Sequence, residues 1–216
     1  MAAVRACYRR RVVVIEVFAD MCCPFTHVGL RRIVERRAQL GLTTDDLVLR
    51  VLAWPLELVN GHPLDAEFIG EECDAIREQV APDLFAGFQV SQFPHSSIPA
   101  MQLAAAAYDI DDVTGERVSL ALRDALFEHG RNVGDPTVLA EIAAAHDVRV
   151  PMHDPSGVVA DWERGRAKGV IGSPHFFAAA GDVFCPSLSI KRVDGHLVIE
   201  ADGAAIDRFI AQCVVG

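Results

Sequence analysis

The chain opens, in its apolar pattern, with an almost unbroken β-branched run over residues 11–18, which predicts a buried strand. The period then changes. Val28, Leu30, Ile33, Val34 and Ala38 fall mostly on one side at helical spacing, predicting a helix over 24–40 that Gly41 ends. Asp45 and Asp46 precede a second apolar stretch, Leu47 to Trp54, which reads as a strand stopped by Pro55. Strand, helix, strand is the start of a βαβ unit and implies parallel pairing at the centre of a sheet.

After Asn60-Gly61-His62-Pro63 the pattern turns helical. Asp65 to Val80 reads as a helix with an acidic start, and residues 82–90 show no clear period. Phe93 to Pro99 is a loop, with Pro99 opening a helix from Ala100 to Tyr108. Val118, Ala121, Leu122 and Ala125 form a helical face, and Asp135-Pro136 supplies the N-cap and first position of a helix through His146. About 90 residues of helix separate the second strand from the next stretch of strand character, too many for a simple crossover, so a helical insertion is expected. The last third returns to α/β. It holds a helix from Ser156 to Lys168, an apolar run Phe176 to Ala180, and a turn at Val193-Asp194-Gly195-His196 flanked by strand. Asp202 caps a final helix whose one face carries Ile206, Phe209, Ile210 and Cys213. The predicted order is β-α-β, helices, then β-β-α.

Composition narrows the function classes. With 216 residues, 51% of them hydrophobic, the chain can bury one core, with or without an insertion. No apolar run is long enough to span a bilayer. Arg5, Arg9, Arg10 and Arg11 before Val12 to Ile15 loosely mimic a secretory signal. That run is short, contains Glu16 and lacks a small-residue cleavage site, so it reads as the first strand and a cytoplasmic address is expected. The net charge of −10 disfavours nucleic acid and anionic membranes as partners and is neutral toward a small thiol. Six cysteines, at 7, 22, 23, 73, 185 and 213, form no Cys-x-x-Cys pair, which argues against a zinc ribbon and leaves no metal site expected. Cys73 and Cys213 read as small core residues.

The candidate chemistry lies where the first strand hands over to the first helix, at Cys22-Cys23-Pro24-Phe25-Thr26-His27. Pro24 suits the first helical position, which puts Cys23 at or near the N-cap. There the unpaired amides and the helix dipole stabilise a thiolate, so a lowered pKa and nucleophilic character are expected of Cys23. Asp20-x-x-Cys23-Pro24-Phe25 between a strand and a helix resembles the active-site segment of thioredoxin-fold oxidoreductases, in particular the DsbA/FrnE-like branch. That branch usually carries Cys-Pro-aromatic-Cys. Here Thr26 holds the fourth position, and three residues beyond Cys22 lies Phe25, so the usual resolving cysteine is absent.

The resemblance implies an α/β thioredoxin fold with an inserted helical domain, residues 1–61 and 157–216 forming the thioredoxin part and 62–156 the insertion. Gly169-Val170-Ile171-Gly172-Ser173-Pro174 resembles the Gly-Val-x-Gly-x-Pro segment that enters the third strand in this family. By that likeness Pro174 is cis and faces Cys23, although an X–Pro bond taken blindly is cis in roughly one case in twenty. Ser173 and Pro174, with Pro24 and Phe25, would then bind an extended thiol peptide or a tripeptide-like thiol. Cys23 would be the nucleophile. Thr26 would donate a hydroxyl hydrogen bond to its thiolate, or bond its own helix backbone instead.

Other residues carry weaker signals. Cys22 is either a redox switch through a strained vicinal disulfide or an idle neighbour. Cys185 is a candidate resolving thiol in a loop beyond the third strand. His27 and His175 would support a thiolate if protonated, or serve as hydrogen-bonded scaffold. Trp54 and Phe25 would form an apolar wall near Cys23, or Trp54 would be core. The leading functional expectation is a thiol–disulfide oxidoreductase with one active cysteine, no tightly bound cofactor, a thiol or disulfide substrate, and glutathione or mycothiol as co-substrate. The alternatives are a thiol-dependent enzyme resembling kappa-class glutathione transferases and 2-hydroxychromene-2-carboxylate isomerases, and a non-catalytic binding module.

Overall fold

Two parallel strands with one helix between them set the frame. In a computed structural model that describes residues 12–151, 154–179, 181–186, 188–194 and 196–215, β1 (Val13–Ala19) pairs with β2 (Leu47–Ala53) from Val13 opposite Leu47 to Ala19 opposite Ala53. The basic N-terminal residues Arg5, Arg9, Arg10 and Arg11, together with Cys7, Ala180 and Gly195, lie outside the described residues. Helix α1 (Pro24–Gln39) joins the two strands, and Gly41 leaves it with φ 70°, a left-handed conformation that glycine adopts without steric penalty. Its apolar stripe, Leu30 and Ile33, is buried against Ile15, Val17, Leu47 and Leu49.

On the other side of β1 lies β3 (His175–Ala178), antiparallel, and then its hairpin partner β4 (Gly181–Phe184). The sheet order is therefore β2-β1-β3-β4. The turn predicted at Val193–His196 does join a hairpin, β5 (Leu188–Val193) with β6 (His196–Ala201), but this pair forms a separate two-stranded sheet. The expected β-β-α ending is thus two hairpins followed by α8 (Gly203–Val215). β4 escaped the pattern because its four residues are short and largely exposed. Asp202 accepts from the Ala205 amide at 2.9 Å, capping α8 as expected, and Ile206, Phe209, Ile210 and Cys213 pack under the sheet.

Between β2 and β3 lie α2 (Leu56–Asn60), α3 (Ala66–Gln79), a 3-10 turn (Val90–Gln92), α4 (Ile98–Tyr108), α5 (Asp112–Phe127), α6 (Pro136–Ala145) and α7 (Ser156–Lys168). Asp65, Asp111 and Asp135 cap α3, α5 and α6 by accepting from Phe68, Thr114 and Thr137 amides at 2.7–2.8 Å. Helix α4 starts at Ile98, so Pro99 stands in its first turn, and α2 directly after Pro55 was not foreseen. No helix among the described residues is long and apolar enough to cross a membrane.

The helices are keyed to the sheet through its β2 edge. The amides of Leu49, Val51 and Ala53 point away from β1 and donate to Glu116 (2.7 Å), the Tyr108 hydroxyl (2.9 Å) and Asp161 (3.0 Å). Arg37 of α1 holds Glu116 at 2.6 and 2.9 Å and also donates to the Leu47 carbonyl. An edge strand normally leaves such groups open. Here side chains from α4, α5 and α7 satisfy them, and that docking brings Arg123 of α5 to the end of β1.

Candidate active site

At the end of β1 the chain turns through Asp20, Met21 and Cys22, and α1 begins at Pro24. Cys23 takes the N-cap in extended conformation (φ −80°, ψ 116°), Pro24 the first helical position and Thr26 the third. The Cys23 thiol donates to the Ser173 carbonyl at 3.3 Å, across 150 residues of chain. The Ser173–Pro174 peptide bond is cis. The Ser173 hydroxyl accepts from the Asp20 amide at 2.8 Å and shares a hydrogen bond with the Thr26 hydroxyl at 2.9 Å. Pro174 is buried, and its carbonyl accepts from the Cys185 amide at 3.0 Å. The structure therefore brings Cys23, Thr26, Ser173 and Pro174 together at one point, with Pro24 and Phe25 in the adjoining first turn of α1.

No family model and no curated protein matches the chain by sequence. Solved structures match it by shape over nearly its full length. The cytosolic disulfide reductase DsbM from Pseudomonas aeruginosa superposes with a TM-score of 0.60 at 14% identity, over 94% of this chain and 96% of that one. The same reductase has also been solved with GSH. A structure described as a probable DsbA oxidoreductase from Streptomyces coelicolor gives 0.63 at 16%, over 93% and 89%. The chain has the DsbA-like thioredoxin fold. A 2-hydroxychromene-2-carboxylate isomerase also matches, at 0.58 and 10% identity over 79% of this chain and 88% of that one.

Within this DsbA-like fold the state of Cys23 departs from expectation. Its residue is only 4% exposed, and burial pushes the thiol up rather than down. Hydrogen bonds from the Thr26 hydroxyl and the Thr26 amide pull the other way, as does the contact with Ser173, and the negative charge of Glu72 adds to the upward push. The buried cluster that holds Cys23 gathers residues from elements distant in sequence. Ile69, Cys73 and Ile76 of α3, with Leu188 and Ile199 of the β5–β6 hairpin, belong to the same buried cluster as Cys23. Gln79 of α3 clasps β6, donating to the Leu197 carbonyl at 3.0 Å and accepting from the Ile199 amide at 2.9 Å. Arg192 of β5 stacks over Phe68 of α3. Glu72, buried on α3, has its pKa raised to about 7 by desolvation, with Arg192 opposing.

Sequence reasoning missed the network behind the cysteines. The Asp20 carboxylate is fully buried and accepts from the amides of Cys22 (2.7 Å) and Leu56 (2.7 Å) and from the Ser97 hydroxyl (3.1 Å). Burial pushes Asp20 up; these donors and the Arg123 charge favour its ionised form. Arg123, equally buried, donates to the Asp20 carbonyl at 3.0 Å and to Ser119. The available signal was an acid at the apolar end of a strand, three residues before the cysteine, which burial makes costly unless it is fully bonded.

The remaining candidates separate. Cys22 is buried in a niche lined by Glu57, Phe93 and Ser97, and the described cysteines carry no disulfide. The His27 ring bonds Glu128 at 2.6 Å and packs on Phe85 and Phe127, and its pKa is lowered by burial despite that partner. His175 bonds Asp182 at 2.9 Å. Both histidines have their polar partners away from the thiol. Trp54 packs with Phe18, Leu52 and Val170, whereas Phe25 belongs to the Cys23 cluster, so the two form no shared wall. Cys73 and Cys213 are buried, as expected of core residues.

Proposed function

We propose that this protein is a thiol–disulfide oxidoreductase of DsbA/FrnE-like type, with Cys23 as the one nucleophile toward substrate. The observation that carries this reading is the Cys23 sulfur at a helix N-cap, 3.3 Å from the carbonyl of a cis Ser173–Pro174 unit. A thiolate formed there is held by the helix amides and the Thr26 hydroxyl. It attacks a substrate disulfide and forms a mixed disulfide, releasing the other sulfur as a thiolate. Half-buried Ser173 offers its backbone amide to an extended thiol peptide or a tripeptide-like thiol, the Ser173 and Pro174 carbonyls being taken by the Cys23 thiol and the Cys185 amide. Pro24 and Phe25, buried in the first turn of α1, supply apolar contacts beside it.

What raises the Cys23 pKa is burial, and the β5–β6 hairpin, two of whose residues share the Cys23 cluster, is fastened to α3 through a few side chains. Displacing it returns water to the sulfur and leaves the groups that favour the anion in place. With Thr26 at the fourth position, a low-molecular-weight thiol, glutathione or mycothiol, is the natural co-substrate. The DsbM structure with GSH is consistent with a tripeptide thiol beside this kind of fold, and its description as cytosolic agrees with a cytoplasmic address.

The test is turnover of a glutathionylated peptide with glutathione, and then with mycothiol. Activity should fall to background in Cys23→Ser; full activity in that variant defeats the proposal. A thiol-dependent isomerase or transferase of the kappa-like class is favoured by one feature, the Thr26–Ser173 hydroxyl pair at 2.9 Å, which places hydroxyls where a second thiol would stand. That reading predicts consumption or recycling of glutathione on a non-disulfide electrophile, with Cys23→Ser still active. A binding module predicts neither reaction.

A further inference from the structure

We infer that Cys185 is the resolving thiol for Cys23, doing from a distant loop what the fourth motif position does elsewhere. This rests on the oxidoreductase reading and names the step that reading leaves open. Two consecutive carbonyls of the cis unit hold the two cysteines. Ser173 accepts from the Cys23 thiol at 3.3 Å, and Pro174 accepts from the Cys185 amide at 3.0 Å. Both side chains are buried in one apolar cluster, and burial, with the Cys23 sulfur nearby, pushes the Cys185 thiol up to about 12. Cys185 stands just after β4 with φ 42°, in the short link to β5, the strand of the covering hairpin.

The other cysteines are less well placed. Cys22 is adjacent in sequence but lines the niche of Glu57, Phe93 and Ser97. Cys213 lies in a different cluster, on α8. Cys73 does sense Cys23, but it is fixed inside the 14-residue helix α3 rather than in a link between strands.

The chemistry closes without a further redox partner in the protein. The Cys23 thiolate attacks one sulfur of R–S–S–R′; the Cys23–S–R bond forms and R′–S⁻ leaves to take up a proton. Cys185, deprotonated by water or by the departing thiolate, attacks the Cys23 sulfur. The Cys23–Cys185 bond forms, and R–S⁻ leaves and is protonated. The substrate gains two electrons and two protons, and the protein dithiol loses them. Two molecules of a reduced low-molecular-weight thiol then restore the dithiol and become a disulfide.

The experiment mixes reduced full-length protein with one equivalent of oxidised glutathione, quenches in acid and maps cysteines by mass spectrometry without reduction. The expected result is a Cys23–Cys185 linked peptide in the unmodified protein. In Cys185→Ser a glutathione adduct on Cys23 accumulates about ten-fold above the unmodified protein, while Cys73→Ala behaves as the parent does. A stable Cys23 adduct with no link in the parent protein overturns the role of Cys185 and leaves the monothiol reading standing. A link from Cys23 to Cys22 or Cys73 also overturns it. A Cys23 that reacts in neither form removes both this role and the oxidoreductase reading. The parent's own linkage map decides the matter even where Cys185→Ser folds poorly.

Discussion

Cys22 and Cys23 are neighbours in sequence and both nearly inaccessible, at 1% and 4% exposure, yet they face walls of different construction. Behind Cys22 the wall is polar and cross-braced. Asp20 at the end of β1 ties the α2 start through Leu56 and the α4 start through Ser97, and Arg123 of α5 ties back to the Asp20 carbonyl. On the other side both cysteines share one apolar cluster, but only Cys23 feels the charge of Glu72 on α3, and Gln79 clasps α3 to the β5–β6 hairpin. A braced wall opens only with the fold. A clasped one opens locally, at the free energy of the contacts it breaks. The contrast predicts that local opening exposes Cys23 before Cys22.

The largest expected effect comes from breaking the braced side. Asp20→Ala strands the donors of Cys22, Leu56 and Ser97 and the charge of Arg123, and should cost about 3 kcal/mol, read from the urea midpoint. A loss under about 1 kcal/mol would mean the brace is not what holds this wall. Gln79→Ala removes two hydrogen bonds to β6 and should cost about 1 kcal/mol, speeding iodoacetamide labelling of Cys23 roughly five-fold while Cys22 stays protected. Equal acceleration at both cysteines would erase the distinction between the walls.

Glu72→Gln refines the picture further. Removing a negative charge that disfavours the Cys23 thiolate should move the labelling profile of Cys23 to lower pH by under about one unit. An unchanged profile would show that burial alone sets the value.

The smallest effect concerns His27, which sits with Phe85 and Phe127. Its folded pKa lies below the unfolded value of about 6.5, so its contribution to stability is complete above that pH and is lost as pH falls through the folded pKa. Unfolding midpoints measured between pH 7.5 and about 5.5 should therefore decline more in the parent than in His27→Gln, by under about 1 kcal/mol. A parallel decline would assign acid sensitivity to other groups.

Much of this arrangement was legible in short stretches of sequence. Pro24 after a strand announced the helix start and the N-cap position of Cys23, and the Gly-Val-x-Gly-x-Pro likeness pointed to the cis bond at Pro174. Asp135 and Asp202 revealed their helices because a cap acts on an amide two or three residues away. The braced wall was not legible, because the partners Asp20 and Arg123 are separated by 103 residues and nothing local marks either for the other. The cover was not legible for a related reason. A turn flanked by strand announces a hairpin but not the surface on which it lands, and burial by residues distant in sequence reversed the expected direction of the Cys23 pKa.

The capping of β2 by Glu116, Tyr108 and Asp161 has a consequence for anyone who would trim this protein to its sheet. A shortened chain lacking α4 to α7 would bare three unpartnered amides along a strand rich in valine and leucine. Such a rim recruits a like strand from another molecule, so the minimal version should self-associate.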